Sequence, residues 1–156
     1  MGKKKKIYLI CGLICLIIIY GLFHRKTVAA LCDITREIAI TEASLIRHEY
    51  WNEDSKMSRI DDHQDLERIK SVLLNAECRY QGMYRLINYT DQVLFNVTLM
   101  DEDGEFYARY SFVDDGRVYA NNGKYHIVSE HDDIITKVLE EIIQKYPNEL
   151  DKEEKE

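Results

Sequence analysis

Residues 93–128, VLFNVTLMDEDGEFYARYSFVDDGRVYANNGKYHIV, decide the fold class. Val93, Phe95, Val97 and Leu99 alternate with Leu94, Asn96, Thr98 and Met100. This period of two belongs to a strand with one buried face. Asp101-Glu102-Asp103-Gly104 breaks the run as a turn, and Phe106, Ala108, Tyr110 and Phe112 resume it. Asp115-Gly116 and Asn122-Gly123 are dipeptides that favour tight hairpins, because both tolerate positive φ. Arg117–Ala120 and Lys124–Val128 are the strands that they join. The stretch predicts an antiparallel meander of about four strands, with a further strand expected over Met83–Tyr89.

Helical spacing flanks the meander on both sides. Leu66, Ile69, Val72 and Leu73 give the buried stripe of a helix expected from about Asp62 to Glu77, capped by Asp61 or Asp62. After the meander, Ile134, Ile135, Val138, Leu139, Ile142, Ile143 and Tyr146 form one apolar stripe. Ser129 is the expected N-cap of that helix and Pro147 its stop. Residues 36–50, REIAITEASLIRHEY, do not hold a helical stripe across Thr41-Glu42 and read as strand. The expected fold class is therefore α+β: a meander of four to five strands packed against one or two helices, occupying residues 36–146.

The chain's 156 residues, 46% hydrophobic and 31% charged, fit one domain and exclude a wholly disordered chain. The net charge of -7 is unevenly placed. Residues 1–26 carry six bases and no acid, leaving 15 bases against 28 acids, or -13, on the rest. An acidic domain of this kind excludes a nucleic-acid partner, which needs a basic face. Between the lysines of residues 1–6 and Arg25-Lys26 lies an uncharged run, Ile7–Phe23. It reads as a transmembrane signal-anchor, with residues 24–35 as a juxtamembrane linker and 147–156 as a disordered acidic tail. The positive-inside rule then puts the N-terminus in the cytoplasm and the domain outside it, as a single-pass protein of the cell membrane. Residues 7–23 would make the membrane a partner, alongside a protein or peptide on the outer side.

The segment 97–119, VTLMDEDGEFYARYSFVDDGRVY, resembles the hairpins of small PepSY- or cystatin-like extracytoplasmic domains. The basic start, apolar helix and acidic α+β domain also resemble the layout of membrane-anchored proteins of low-GC Gram-positive bacteria. That resemblance implies an extracytoplasmic α+β module and assigns no functional residue.

No motif for a catalytic nucleophile or a phosphate loop is present, so neither catalytic nor cofactor-binding residues are assigned. Asp61-Asp62-His63 with Asp65, and Glu130-His131-Asp132-Asp133, have ligand chemistry, but both stand where helix starts want caps and acids. Asp101 does not open a calcium loop, because its sixth and twelfth positions are Phe106 and Phe112. No metal site is expected. Cys32 and Cys78 lie outside the apolar run and are the candidate disulfide pair, with two free thiols as the alternative. Tyr107, Arg109 and Tyr119 are the candidate partner surface, since tyrosine and arginine recur at binding faces.

Three functions are consistent with this pattern. The first is a non-catalytic, membrane-anchored binding or regulatory domain. The second is an immunity or inhibitor protein capturing a cationic toxin or basic enzyme. The third is an envelope hydrolase using carboxylates such as Asp61 and Asp62.

Overall fold

The computed structural model describes residues 3–49, 54–83, 92–120, 123–128 and 133–150. These contain helix α1 (Lys3–Phe23), strand β1 (Lys26–Thr27), a short 3-10 helix (Ala29–Cys32), strands β2 (Glu42–Glu49) and β3 (Asp54–Ile60), and helix α2 (His63–Asn75). Strands β4 (Glu77–Met83), β5 (Val93–Met100), β6 (Phe106–Val113), β7 (Arg117–Ala120) and β8 (Gly123–Ile127) follow, then helix α3 (Ile134–Ile143). The strands form one antiparallel sheet in the order β1-β4-β8-β7-β6-β5-β2-β3.

Among the described residues, eight strands and three α-helices stand where four to five strands, one or two covering helices and a transmembrane helix were expected. The additions are long-range pairings that local periodicity does not encode. β2 lies antiparallel to both β5 and β3, and β1 pairs with β4 through Lys26 and Cys78. Residues 24–35, expected as a linker, are built into the domain, with Val28, Ala29, Leu31 and Ile34 in its core. Within 36–50, the strand occupies Glu42–Glu49. The strand expected at Met83–Tyr89 falls, beyond Met83, outside the described residues.

The transmembrane expectation is overturned. Ile7–Phe23 does lie in a helix, but among the described residues no helix is long and apolar enough to cross a membrane. The single-pass membrane placement, with an outside domain, rested on that span and falls with it. α1 stands apart from the core, with Ile7–Ile10, Leu13, Ile14 and Leu16–Tyr20 exposed.

One face of the sheet is sealed by α2 and α3. Leu66, Ile69 and Leu73 from α2 join Ile135, Leu139, Ile142 and Ile143 from α3. They close over Leu45, Phe95, Val97, Leu99, Tyr110 and Phe112. Asp62 caps α2 as expected, its Oδ1 accepting from the Gln64 and Asp65 amides at 2.9 and 3.0 Å. The buried Asp65 carboxylate ties the helices together. It accepts from Lys145 Nζ at 2.6 Å and from the Tyr146 hydroxyl at 3.1 Å. α3 ends at Ile143, ahead of Pro147, and its expected cap Ser129 lies outside the described residues. Part of the expected tail is ordered against β3: the Glu149 amide donates to the Met57 carbonyl at 2.8 Å, and Asn148 Oδ1 accepts from the Met57 amide at 3.1 Å. Ser58, fully buried, donates to the Pro147 carbonyl at 2.9 Å.

Candidate binding cleft

β6 is paired unequally on its two sides. Against β5 the register runs through seven positions, from Leu94↔Val113 to Met100↔Phe106. Against β7 it holds at only two, Ser111↔Tyr119 and Phe112↔Val118. β7 ends at Ala120, while β6 reaches back to Phe106. The seam between them therefore parts alongside the first half of β6. The opening is a cavity of about 570 Å³, whose lining includes Cys32, Asp33, Phe106, Tyr107, Arg109 and Tyr119. That size lies within the ~300–1,000 Å³ range common for ligand pockets.

The 3-10 helix forms one wall, and β6 holds it there. The Tyr110 hydroxyl donates to the Ala29 carbonyl at 3.3 Å and the Tyr107 hydroxyl to the Asp33 carbonyl at 3.1 Å. The Cys32 thiol donates to the Arg109 carbonyl at 3.9 Å. Asp33 ends that helix in the left-handed region, at φ 57°, and its backbone amide closes back onto Ala29.

A β-bulge departs from the simple alternation expected of β6. The register shifts between Leu99 and Met100, inserting one extra residue between Phe106 and Ala108. Phe106 consequently leaves the core face and is 62% exposed, with the Arg109 guanidinium carbon 5.6 Å from its ring centroid. Tyr107, expected to face away from the core, packs against its margin. Arg109 is exposed, its Nε donating to Thr98 Oγ1 at 3.4 Å. Tyr119 lines the cavity but is nearly buried, in a small cluster with Leu94 and Val113 on the sheet face away from the helices.

The cleft thus unites Tyr107, Arg109 and Tyr119, and adds Cys32, Phe106 and Asp33. The end of β7 at Ala120 agrees with the hairpin expected at Asn122-Gly123, but the packing of the 3-10 helix against β6, which completes the cleft, has no local motif. Cys32 and Cys78 are free thiols that open on different cavities. Cys78 lines a second one of about 260 Å³ beside the end of α1. Burial pushes the Cys32 thiol above its ordinary value, and pushes Cys78 up to about 12, so both are protonated at neutral pH.

Among the described residues no group of three or more His, Cys, Asp or Glu is placed to hold a metal ion. Asp62 is occupied as a helix cap, and Asp101 Oδ1 shapes its turn by accepting from the Asp103 and Glu105 amides, both at 3.0 Å. Glu130, His131 and Asp132 lie outside the described residues. Asn96 Oδ1 accepts from Ser111 Oγ at 2.6 Å across β5 and β6. No protein-family model, curated protein or solved structure matches the chain.

Proposed function

We propose that this protein is a non-catalytic binding domain that takes a segment of a protein or peptide partner into the parted seam between β6 and β7. The observation that carries this reading is the opening itself, about 570 Å³ within a sheet whose neighbouring seams are closed. Its lining supports recognition better than reaction. An exposed aromatic ring stacked with a guanidinium offers contact area and hydrogen-bond donors together. The one cysteine in the lining is kept as a thiol, a poor nucleophile.

Selection of random twelve-residue peptides displayed on phage, against the full chain, tests the reading. Peptides are expected whose binding drops at least tenfold on Arg109→Ala and on Ser111→Trp, both in the cleft lining. Arg68→Ala, on the exposed side of α2, should leave binding unchanged. Selected peptides that bind all three variants like the parent, or a selection that enriches nothing, would overturn it.

A further inference from the structure

We propose that two copies of this chain pair antiparallel through α1, with Cys11 of each helix seated beside Cys15 of the other copy. The pairing is independent of the cleft. Eleven large apolar side chains between Ile7 and Tyr20 are each at least half exposed. At ~150 Å² or more per whole side chain, they show on the order of 1,000 Å² of apolar surface. The largest such patch on a lone soluble protein is usually ~300–600 Å², whereas each partner in a stable interface contributes ~800 Å². The chief contact of α1 with the rest of the described chain is at β4, beside its C-terminal end, which leaves this surface open.

The centre of the helix is self-complementary. Lys3–Phe23 has Leu13 at its midpoint, and Cys11 and Cys15 stand two residues to either side of it. A two-fold axis at Leu13 therefore sets Cys11 against Cys15 of the other copy, and Tyr8 against Ile18. These four residues share one face, at spacings of three and four. Because α1 is apolar on all sides, no apolar stripe picks the pairing face, and side-chain size does so instead. Cys11, Gly12 and Cys15 are small, and nothing lies within 4 Å of a Cβ built at Gly12, so two backbones can approach closely there.

Charge selects the antiparallel sense. Residues 1–26 carry six bases and no acid, and the rest holds 15 bases against 28 acids, or -13. Parallel pairing would set the two lysine clusters of residues 3–6 side by side, and the two acidic domains likewise. Antiparallel pairing holds both like pairs apart by a 21-residue helix, well beyond the ~8 Å screening length. Each lysine cluster then lies toward the acidic domain of the other copy, and the helix dipoles oppose. Arg25, at the junction, is already matched by Glu77 at 3.3 Å.

Substitutions in α1 test this without hollowing the core, because the helix stands outside it. Sedimentation velocity of the full chain should give a dimer. Ile18→Glu, on the pairing face, should weaken it at least tenfold, and Leu13→Glu, on the opposite face, less than threefold. Diamide, which takes two hydrogens from a pair of neighbouring thiols, reports the register as a disulfide-linked dimer on non-reducing gels. Cys11→Ser and Cys15→Ser alone should each give no more link than the double variant, which keeps Cys32 and Cys78. Co-expression of the two single variants should restore the link. Links in each single variant alone, or none from the co-expressed pair, would overturn the antiparallel register. A monomer, or Leu13→Glu as disruptive as Ile18→Glu, would overturn pairing through this face. Flotation with phosphatidylcholine vesicles that abolishes the link would give α1 a lipid occupant and overturn the inference as well.

Discussion

The two seams of β6 make the most instructive comparison in this molecule. On the β5 side, seven registered positions sit beneath two helices, and Phe95 and Phe112 face each other as a cross-strand pair in the core. On the β7 side, two registered positions give way to a cavity walled by a 3-10 helix. One strand is thus packed into the sheet along one edge and borders a cavity along the other. Stability should therefore depend on the closed seam and recognition on the open one, so substitutions should separate the two properties.

The largest effect is expected from Phe112→Ala, which hollows the closed seam at a residue only 1% exposed. A loss of ~3–5 kcal/mol is expected from chemical denaturation. A loss below about 1 kcal/mol would mean that the closed seam is not where the stability lies.

Asp65→Ala comes next. It strips the partner from Lys145 and from the Tyr146 hydroxyl, and so loosens the two helices that cover this seam. Loss of a buried, charge-assisted acceptor costs ~1–3 kcal/mol. A comparable range of ~1–3 kcal/mol, typical of overpacking, applies to Gly123→Ala at the open side. A Cβ there would lie 2.6 Å from the Tyr125 ring, which would have to move.

Alkaline titration reports on both sides at once. Burial, with the neighbouring Asp65, raises the Tyr146 phenol to about 12, and burial also raises Tyr110, which holds the 3-10 helix against the cleft. Since unfolded tyrosine titrates near ~10, the folded state holds these protons more tightly. Their stabilisation is complete below about pH 10 and is lost as pH rises toward the folded values. Denaturation midpoints should fall from about pH 10 to pH 12, and Tyr146→Phe should fall less than the parent. A flat profile over that range would contradict the assignment.

The smallest stability effect is expected from Arg109→Gln, because the head group is exposed and makes one long hydrogen bond. A change within about 0.5 kcal/mol is expected for such a surface position. A larger destabilisation would show that Arg109 helps to close the sheet rather than serving the opening.

The same contrast explains how much of the molecule could be read from its residues. The β5–β6 hairpin was legible because alternation and turn chemistry are local, as was α2 with its Asp62 cap. β3 was not: SKMSRI carries little apolar alternation, and its burial of Ser58 depends on the distant Pro147 carbonyl. β1 is two residues long and exists only through its pairing with β4. The apolar length of α1 suggested a membrane span, which the structure does not sustain. Tyr107, Arg109 and Tyr119 could be picked out as residue types. Their roles could not, because one inserted residue in β6 exchanges the surroundings of Phe106 and Tyr107, and a bulge leaves no mark on composition.

The segment Pro147–Glu149 has a further consequence through its bonds to Met57 and Ser58. β3 ends the sheet and would otherwise present its outer backbone to any other chain in solution. Two residues past a proline are enough to occupy the middle of that border. A substitution such as Asn148→Ala would hardly disturb the interior, yet it would loosen this cover. The outcome to watch is then colloidal rather than thermodynamic: edge-to-edge stacking of folded molecules into insoluble aggregates, with little change in their unfolding curve.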